Sequence, residues 1–381
     1  MLSVSSKLPN VGTSIFAVMS KMAADFNAVN LSQGFPDFPV SEELISLVHE
    51  GMQKGFNQYS PMPGLPMLRE AIAQKIYTTY SAKVNPDTEV TITAGGTQAL
   101  FVAITALVEE GDEVIMFDPA YDSYDPAIRL CKGVPVHLEL KPPHFGIDWE
   151  EVKQAISPKT KAIIINTPHN PTGSVLSNND LAQLEQLATQ YNLYVISDEV
   201  YEHIIFDGKS HESVLKYPGI YQKGIAVFSF GKTFHATGWK TGYMVAPESI
   251  TKELRKVHQF NVFCGNTPMQ YGIAYYMQNE KNYAGLPEFY QSKRDRFKEL
   301  LSTSRFEPHP CYGTYFQLFS YDTVSDKPDT AMAEWMTKEH GVATIPASVF
   351  YQNGEHVNYL RMCFAKTDET LEQAAQLLCK I

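Results

Sequence analysis

No stretch of the 381-residue chain reaches the ~18 consecutive apolar residues that a membrane helix needs, so no membrane association is expected. Basic residues are in deficit: 31 Lys and Arg stand against 42 Asp and Glu, a formal charge of −11. Such a chain has no surplus of cations with which to neutralise a phosphate backbone, so nucleic acid is not an expected partner. A small basic pocket for an anionic ligand stays open. The five cysteines (Cys131, Cys264, Cys311, Cys363 and Cys379) are odd in number, far apart and never spaced Cys-x-x-Cys. That excludes a disulfide framework and gives no metal site; reduced, packed thiols in a cytoplasmic protein are expected. The first twelve residues lack the apolar core of an export signal. Internal repeats, low-complexity tracts, a Walker loop and a G-x-G-x-x-G fingerprint are also missing, which weakens nucleotide-binding readings.

What the chain does contain is alternation. Residues 41–83 read as two helices interrupted at Tyr59-Ser60-Pro61-Met62-Pro63-Gly64. Short apolar runs rich in β-branched residues then occupy 90–93, 113–117, 134–138, 162–165, 193–196, 225–228 and 242–245. Helix-like stretches such as 97–108 and 179–191 lie between several of them. Apolar strands alternating with helices predict an α/β fold whose sheet is mixed but mostly parallel and buried on both faces. This large domain is expected over residues 41–285. A charged helix at 288–302, strand-like segments and a terminal helix at 368–380 predict a smaller α+β domain over 286–381. Residues 1–40 are expected to form an N-terminal arm and part of the small domain.

Ligands of open α/β sheets bind beyond the carboxyl ends of the strands, so the residues that follow each predicted strand carry the argument. After residue 93 comes Ala94-Gly95-Gly96-Thr97-Gln98, opening a helix. It is either a plain turn or a cradle in which helix N–H groups face a phosphate. After residue 165, two prolines constrain Asn166-Thr167-Pro168-His169-Asn170-Pro171-Thr172-Gly173 and fix the asparagines. After residue 196, Asp198 stands where a buried strand ends, as a helix cap or as a carboxylate in need of a cationic or donor partner. After residue 228 comes Ser229-Phe230-Gly231-Lys232, with Lys240 nearby. Lys232 lies among Phe, Gly and Ala, where desolvation lowers an amine's pKa and leaves it nucleophilic. His169 and His235 are read as neighbouring loop residues. A lysine nucleophile, an acid, a phosphate cradle and a phenol-plus-amide pair together fit pyridoxal phosphate.

These residues, in order, resemble those of the fold-type I, class I/II pyridoxal-phosphate aminotransferases. The chain is most similar to the methionine and kynurenine/glutamine transaminase subgroup. The landmarks run from Leu31-Ser32-Gln33-Gly34-Phe35-Pro36 through Asn57-Gln58-Tyr59, Asp118-Pro119-Ala120-Tyr121 and Asn170-Pro171-Thr172-Gly173. They continue through Asp198-Glu199-Val200-Tyr201 and Ser229-Phe230-Gly231-Lys232-Thr233-Phe234 to Tyr359-Leu360-Arg361-Met362.

The resemblance implies a ping-pong transamination through an aldimine of Lys232. Lys232, Asp198 and Tyr201 are the catalytic residues it implies. Asp198 pairs with the pyridine nitrogen, Asn170 and Tyr201 bind the phenolic oxygen, and Tyr121 stacks on the ring. Gly96, Thr97, Ser229 and Lys240 hold the phosphate, with Gln98 a candidate further contact and Tyr59 reaching it from the other subunit of a homodimer. Lys240 stands where many class I enzymes carry arginine, a substitution usual in the methionine/kynurenine subgroup. Arg361, assisted by Gly34 and Asn170, grips the substrate carboxylate. Ile15, Phe16, Tyr121 and the other subunit's Phe263 line an apolar side-chain pocket. The substrates implied are methionine or aromatic and other apolar amino acids, with a 2-oxo acid as acceptor. A β-lyase acting on cysteine S-conjugates or cystathionine is the alternative on the same scaffold.

Overall fold

Seven strands of the computed structural model, which describes residues 4–354 and 357–381, form the sheet that places the chemistry. A short strand, β1 (Val29–Asn30), precedes them. The seven are β2 (Val90–Thr93), β3 (Glu113–Asp118), β4 (Val134–Glu139), β5 (Thr160–Asn166), β6 (Tyr194–Asp198), β7 (Gly224–Ser229) and β8 (Gly242–Val245). Their order is β2-β8-β7-β6-β5-β3-β4. Each coincides with a predicted apolar run to within two residues at either end. The central strands are buried along almost their whole length, the signature of a sheet covered on both faces. Helices cover it: Gly96–Leu107 on one side, and Pro66–Tyr80 and Asn178–Gln190 among those completing the cover. The last is started by a reciprocal Ser177–Asp180 capping box. The chain therefore has the mixed α/β architecture expected.

The one reversal decides where the site lies. Strands β3 to β7 run parallel, but β8 is antiparallel to both β2 and β7. Thr93 and Ser229, near or at the carboxyl ends of β2 and β7, both pair with Gly242, the first residue of β8. Asn166 pairs with Asp198 at the ends of β5 and β6. One sheet edge thus collects the residues that leave four strands and those that enter a fifth.

The remaining strands are β9 (Glu307–Pro308), β10 (Phe316–Ser320), β11 (Val342–Ala343), β12 (Ile345–Pro346) and β13 (Tyr359–Cys363). They form an antiparallel sheet ordered β12-β13-β10-β9, while β1 pairs in parallel with β11. The Cys363 N–H donates to the Leu31 carbonyl, 2.9 Å away, so the segment carrying Gly34 is tied beside Arg361 on β13. Among the described residues no helix is long and apolar enough to cross a membrane. No cluster of His, Cys, Asp or Glu there is suited to a metal ion.

Candidate active site

The sheet edge opens into a cleft of about 240 Å³. Gly34, Gly96, Thr97, Tyr121, Asn170, Asp198, Tyr201, Ser229, Lys232, Lys240, Arg361 and Phe16 all line it. Four sequence candidates lie elsewhere in the single chain. Gln98 is committed to other partners: its Oε1 accepts from the Ala94 N–H at 3.1 Å, and its Nε2 reaches His258 Nδ1 (3.1 Å) and Asn261 Oδ1 (3.0 Å). Tyr59 is 84% exposed and packs edge-on against Phe263, ring centres 5.6 Å apart, outside the cleft. Ile15 borders a neighbouring hollow beneath residues 7–15.

Burial governs the ionisable groups. Lys232 sits in the short helix Phe230–Thr233 directly after β7. Its Nζ donates to the Tyr315 hydroxyl at 2.9 Å and lies 3.5 Å from the Gly34 carbonyl. Burial above all, with help from Arg361 and Lys240 and against the pull of Cys363 and Asp198, lowers its pKa from 10.5 to about 8. Asp198 is pushed the other way, up to about 6, again chiefly by burial. Its carboxylate accepts from the Tyr124 hydroxyl at 2.6 Å and from the Val200 N–H at 3.4 Å, and both oppose the rise. Among the described residues no basic side chain forms an ion pair with it.

Arg361 has the complementary deficit. Its Nη1 donates to Asn170 Oδ1 (2.9 Å) and its Nη2 to the Ser32 carbonyl (3.1 Å), while the buried Nε has no hydrogen-bond partner among the described residues. The guanidinium carbon lies 3.9 Å from the centre of the Phe316 ring and 5.2 Å from those of Phe16 and Phe350. Burial pulls its pKa down to about 10, so it remains a cation at neutral pH. No carboxylate forms an ion pair with it among the described residues.

On the opposite wall, Gly95 and Gly96 open the helix Gly96–Leu107, whose first-turn N–H groups have no intrahelical acceptor. Gly95 adopts φ +82°, and a Cβ there would stand 3.8 Å from the Lys240 side chain. A Cβ on Gly96 would meet Val200 at 2.9 Å, which explains why a small residue is needed beside the cradle. Asn166 braces the floor: its Nδ2 donates to the Asp198 carbonyl and its Oδ1 accepts from the Asn170 N–H, both at 2.8 Å. His169 and His235 are held neutral by burial, at about 3 and about 4, and neither lines the cleft.

Sequence reasoning missed Tyr124, Tyr315 and Phe316, and gave Asn166 no role of its own. Tyr124 lies inside a helix and Tyr315 ahead of β10, so inspecting the residues that follow strands could not find them. Asn166 is itself the last residue of a strand, and only that position hinted at it.

The family described as aminotransferase class I and II matches residues 27–378. A methionine aminotransferase of Escherichia coli (strain K12) is 49% identical over 374 residues, covering 98% of this chain and 97% of the relative. The crystal structure of an Escherichia coli protein identified as a methionine aminotransferase superposes with a TM-score of 0.98 at 48% identity, covering all of both chains. Human kynurenine–oxoglutarate transaminase 1 is 33% identical over 395 residues, with 94% of each chain covered.

Proposed function

The chain belongs to the class I and II aminotransferases, and from that premise we propose that it transfers the amino group of methionine or an aromatic amino acid to a 2-oxo acid, with pyridoxal phosphate held in the cleft. It is a transaminase on the fold-type I scaffold. The observation that carries the finer reading is a set of unmatched charges. A buried carboxylate and a buried guanidinium, neither in an ion pair among the described residues, and a buried amine of lowered pKa face one cavity. Leaving such groups uncompensated is costly, so the site is built for a ligand carrying the missing partners. The named relatives are transaminases, and none favours the lyase alternative.

In this proposal Asp198 holds the protonated ring nitrogen, Asn170 and Tyr201 the phenolic oxygen, and Tyr121 a ring face. The first turn of Gly96–Leu107, with Ser229 and Lys240, holds the phosphate. When bound, pyridoxal phosphate supplies the electron sink that acidifies the substrate Cα–H. The protein does the rest. Arg361 grips the α-carboxylate through a planar fork, with Gly34 and Asn170 beside it. That grip fixes the Cα–H toward Lys232, so orientation supplies part of the rate. The neutral form of Lys232 Nζ would take the Cα proton as base and give it up again as acid. Amino acid and 2-oxo acid use the one site in turn, the ping-pong order. Phe16, Tyr121 and Phe316 give the cleft aromatic walls, which suit methionine sulfur and aromatic side chains.

A homodimer belongs to the same proposal. Tyr59, Phe260 and Phe263 leave aromatic surface exposed, and an exposed patch of this kind marks an interaction face. In the dimer Tyr59 would reach the phosphate, and Phe263 the side-chain pocket, of the other subunit. The five unpaired cysteines suit a cytoplasmic protein.

The test is the visible absorption of purified protein reconstituted with pyridoxal phosphate. Methionine alone should bleach it and a 2-oxo acid should restore it. An unchanged spectrum with methionine, phenylalanine and kynurenine rejects the donor class; failure to reconstitute rejects the cofactor.

A narrower prediction concerns Tyr124, whose hydrogen bond favours ionised Asp198. Tyr124→Phe should raise the Asp198 pKa further above about 6, so near neutral pH more of the carboxyl is protonated and its hold on the ring nitrogen weakens. A hydrogen bond to a charged group is worth about 1.5–3 kcal/mol, so cofactor affinity at pH 7 should fall about 10–100-fold. Equilibrium dialysis at pH 7 and pH 8.5 measures it, and the deficit should be smaller at the higher pH.

A further inference from the structure

We propose that Tyr315 is a positioning residue for the reacting amine: its hydroxyl oxygen accepts a hydrogen bond from Lys232 Nζ and fixes where that nitrogen stands at the cleft wall. This rests on the transamination reading above. The direction of the hydrogen bonds carries the argument. The Tyr315 hydroxyl has one proton, and it is donated to the Gly34 carbonyl at 2.7 Å. The oxygen facing Lys232 can therefore only accept, and Nζ donates to it at 2.9 Å. The Gly34 carbonyl, 3.5 Å from Nζ, lies on the same side as the Tyr315 oxygen, so both acceptors anchor one side of the nitrogen of a residue that lines the cavity.

The phenol itself does not carry the proton. Tyr315 is fully buried, and burial raises its pKa well above 10, so it stays protonated through the working range. The ring is held on three sides, its centre 5.2 Å from that of Tyr201, 5.8 Å from Tyr290 and 4.9 Å from Phe316. A rigid acceptor of this kind restrains a lysine side chain, which is among the most expensive to order. The charged and titratable groups around Nζ are Asp198, Arg361, Lys240 and Cys363, with the Tyr201 ring 5.4 Å away. Among the described residues Tyr315 is the only side chain with a hydrogen bond to Nζ. The contact also joins separate parts of the chain: Lys232 follows β7, Gly34 follows β1 and Tyr315 precedes β10. Chain segments far apart in sequence therefore set the position of one nitrogen.

The experiment compares Tyr315→Phe, which keeps the ring and its contacts, with the unmodified protein. In the holoenzyme kcat should fall about 10–100-fold, since misplacing a reacting atom costs that order, with KM for methionine within about 2-fold. The isotope effect with Cα-deuterated methionine should rise, because proton transfer becomes slower than the steps around it. In the cofactor-free protein, pH-dependent acylation of Lys232, read by mass spectrometry, should show a lower titration midpoint in the variant. An acceptor favours the ammonium form, and the variant has lost it. An unchanged kcat overturns the proposal. So does a lowered kcat with both isotope effect and acylation midpoint unchanged, which would mark a merely structural tyrosine. Lys232→Ala separates the two readings. If it turns over normally, transamination through Lys232 fails; if it is inactive while Tyr315→Phe behaves as the parent, only the role of Tyr315 fails.

Discussion

Lys232→Ala should lower turnover with methionine and a 2-oxo acid by at least ~10⁴-fold, the upper end of what a positioned acid–base group supplies. The protein should still fold. A buried amine whose pKa has been pulled down to about 8 is one that burial disfavours in its charged form, so deleting it relieves a penalty. The deleted stem also opens into an existing cleft, which limits the cavity cost. The melting temperature is therefore expected to stay within a few degrees of the parent. Steady-state assays and thermal melts on the same preparation check both halves. Turnover retained in a folded variant would remove Lys232 from the chemistry, and the reading of Asp198 and Arg361 as cofactor and substrate partners would then need another ligand.

Why Lys232 could be singled out from sequence, and Tyr315 could not, is a matter of range. The strands of the large sheet are short apolar runs, the central ones buried on both faces, so the pattern located all seven to within two residues. The rule that ligands gather past strand ends then pointed to Lys232, Asp198 and Asn170, because each lies within a few residues of such an end. Strand order and direction are long-range properties. Nothing local announces that Gly242–Val245 runs against its neighbours, yet that reversal brings Lys240 to the same edge as Ser229. Tyr124 and Tyr315 reach Asp198 and Lys232 from a helix and from the residue ahead of β10, across 74 and 83 residues of sequence, with no motif to mark them. Gln98 is a different case. The resemblance implied a phosphate contact for it, and its side-chain amide is shared among Ala94, His258 and Asn261.

The same separation of charge from geometry sets the second large effect, at Arg361. Arg361→Lys keeps the positive charge, so a purely electrostatic role for this residue predicts a mild change. The surroundings predict otherwise. The guanidinium plane lies 3.9 Å from the centre of the Phe316 ring, flanked by Phe16 and Phe350, while Nη1 and Nη2 are committed to Asn170 and Ser32. That packing aligns a fork, and an ammonium can neither stack in the slot nor offer two parallel donors. It also leaves Asn170 Oδ1 without its donor in a buried site. Loss of one or two charge-assisted hydrogen bonds, at about 1.5–3 kcal/mol each, lowers kcat/KM for methionine by roughly 10²–10³-fold. The control is 3-(methylthio)propylamine, which has the same side chain and no α-carboxylate. Parent and Arg361→Lys should process it at the same low rate, because the missing carboxylate removes what the fork recognises. A variant that loses activity equally on both compounds would show that Arg361 supports the cleft and does not read the substrate. Preference for the carboxylate that survives the substitution would place its recognition elsewhere on the cleft wall, with Lys240 the first residue to examine.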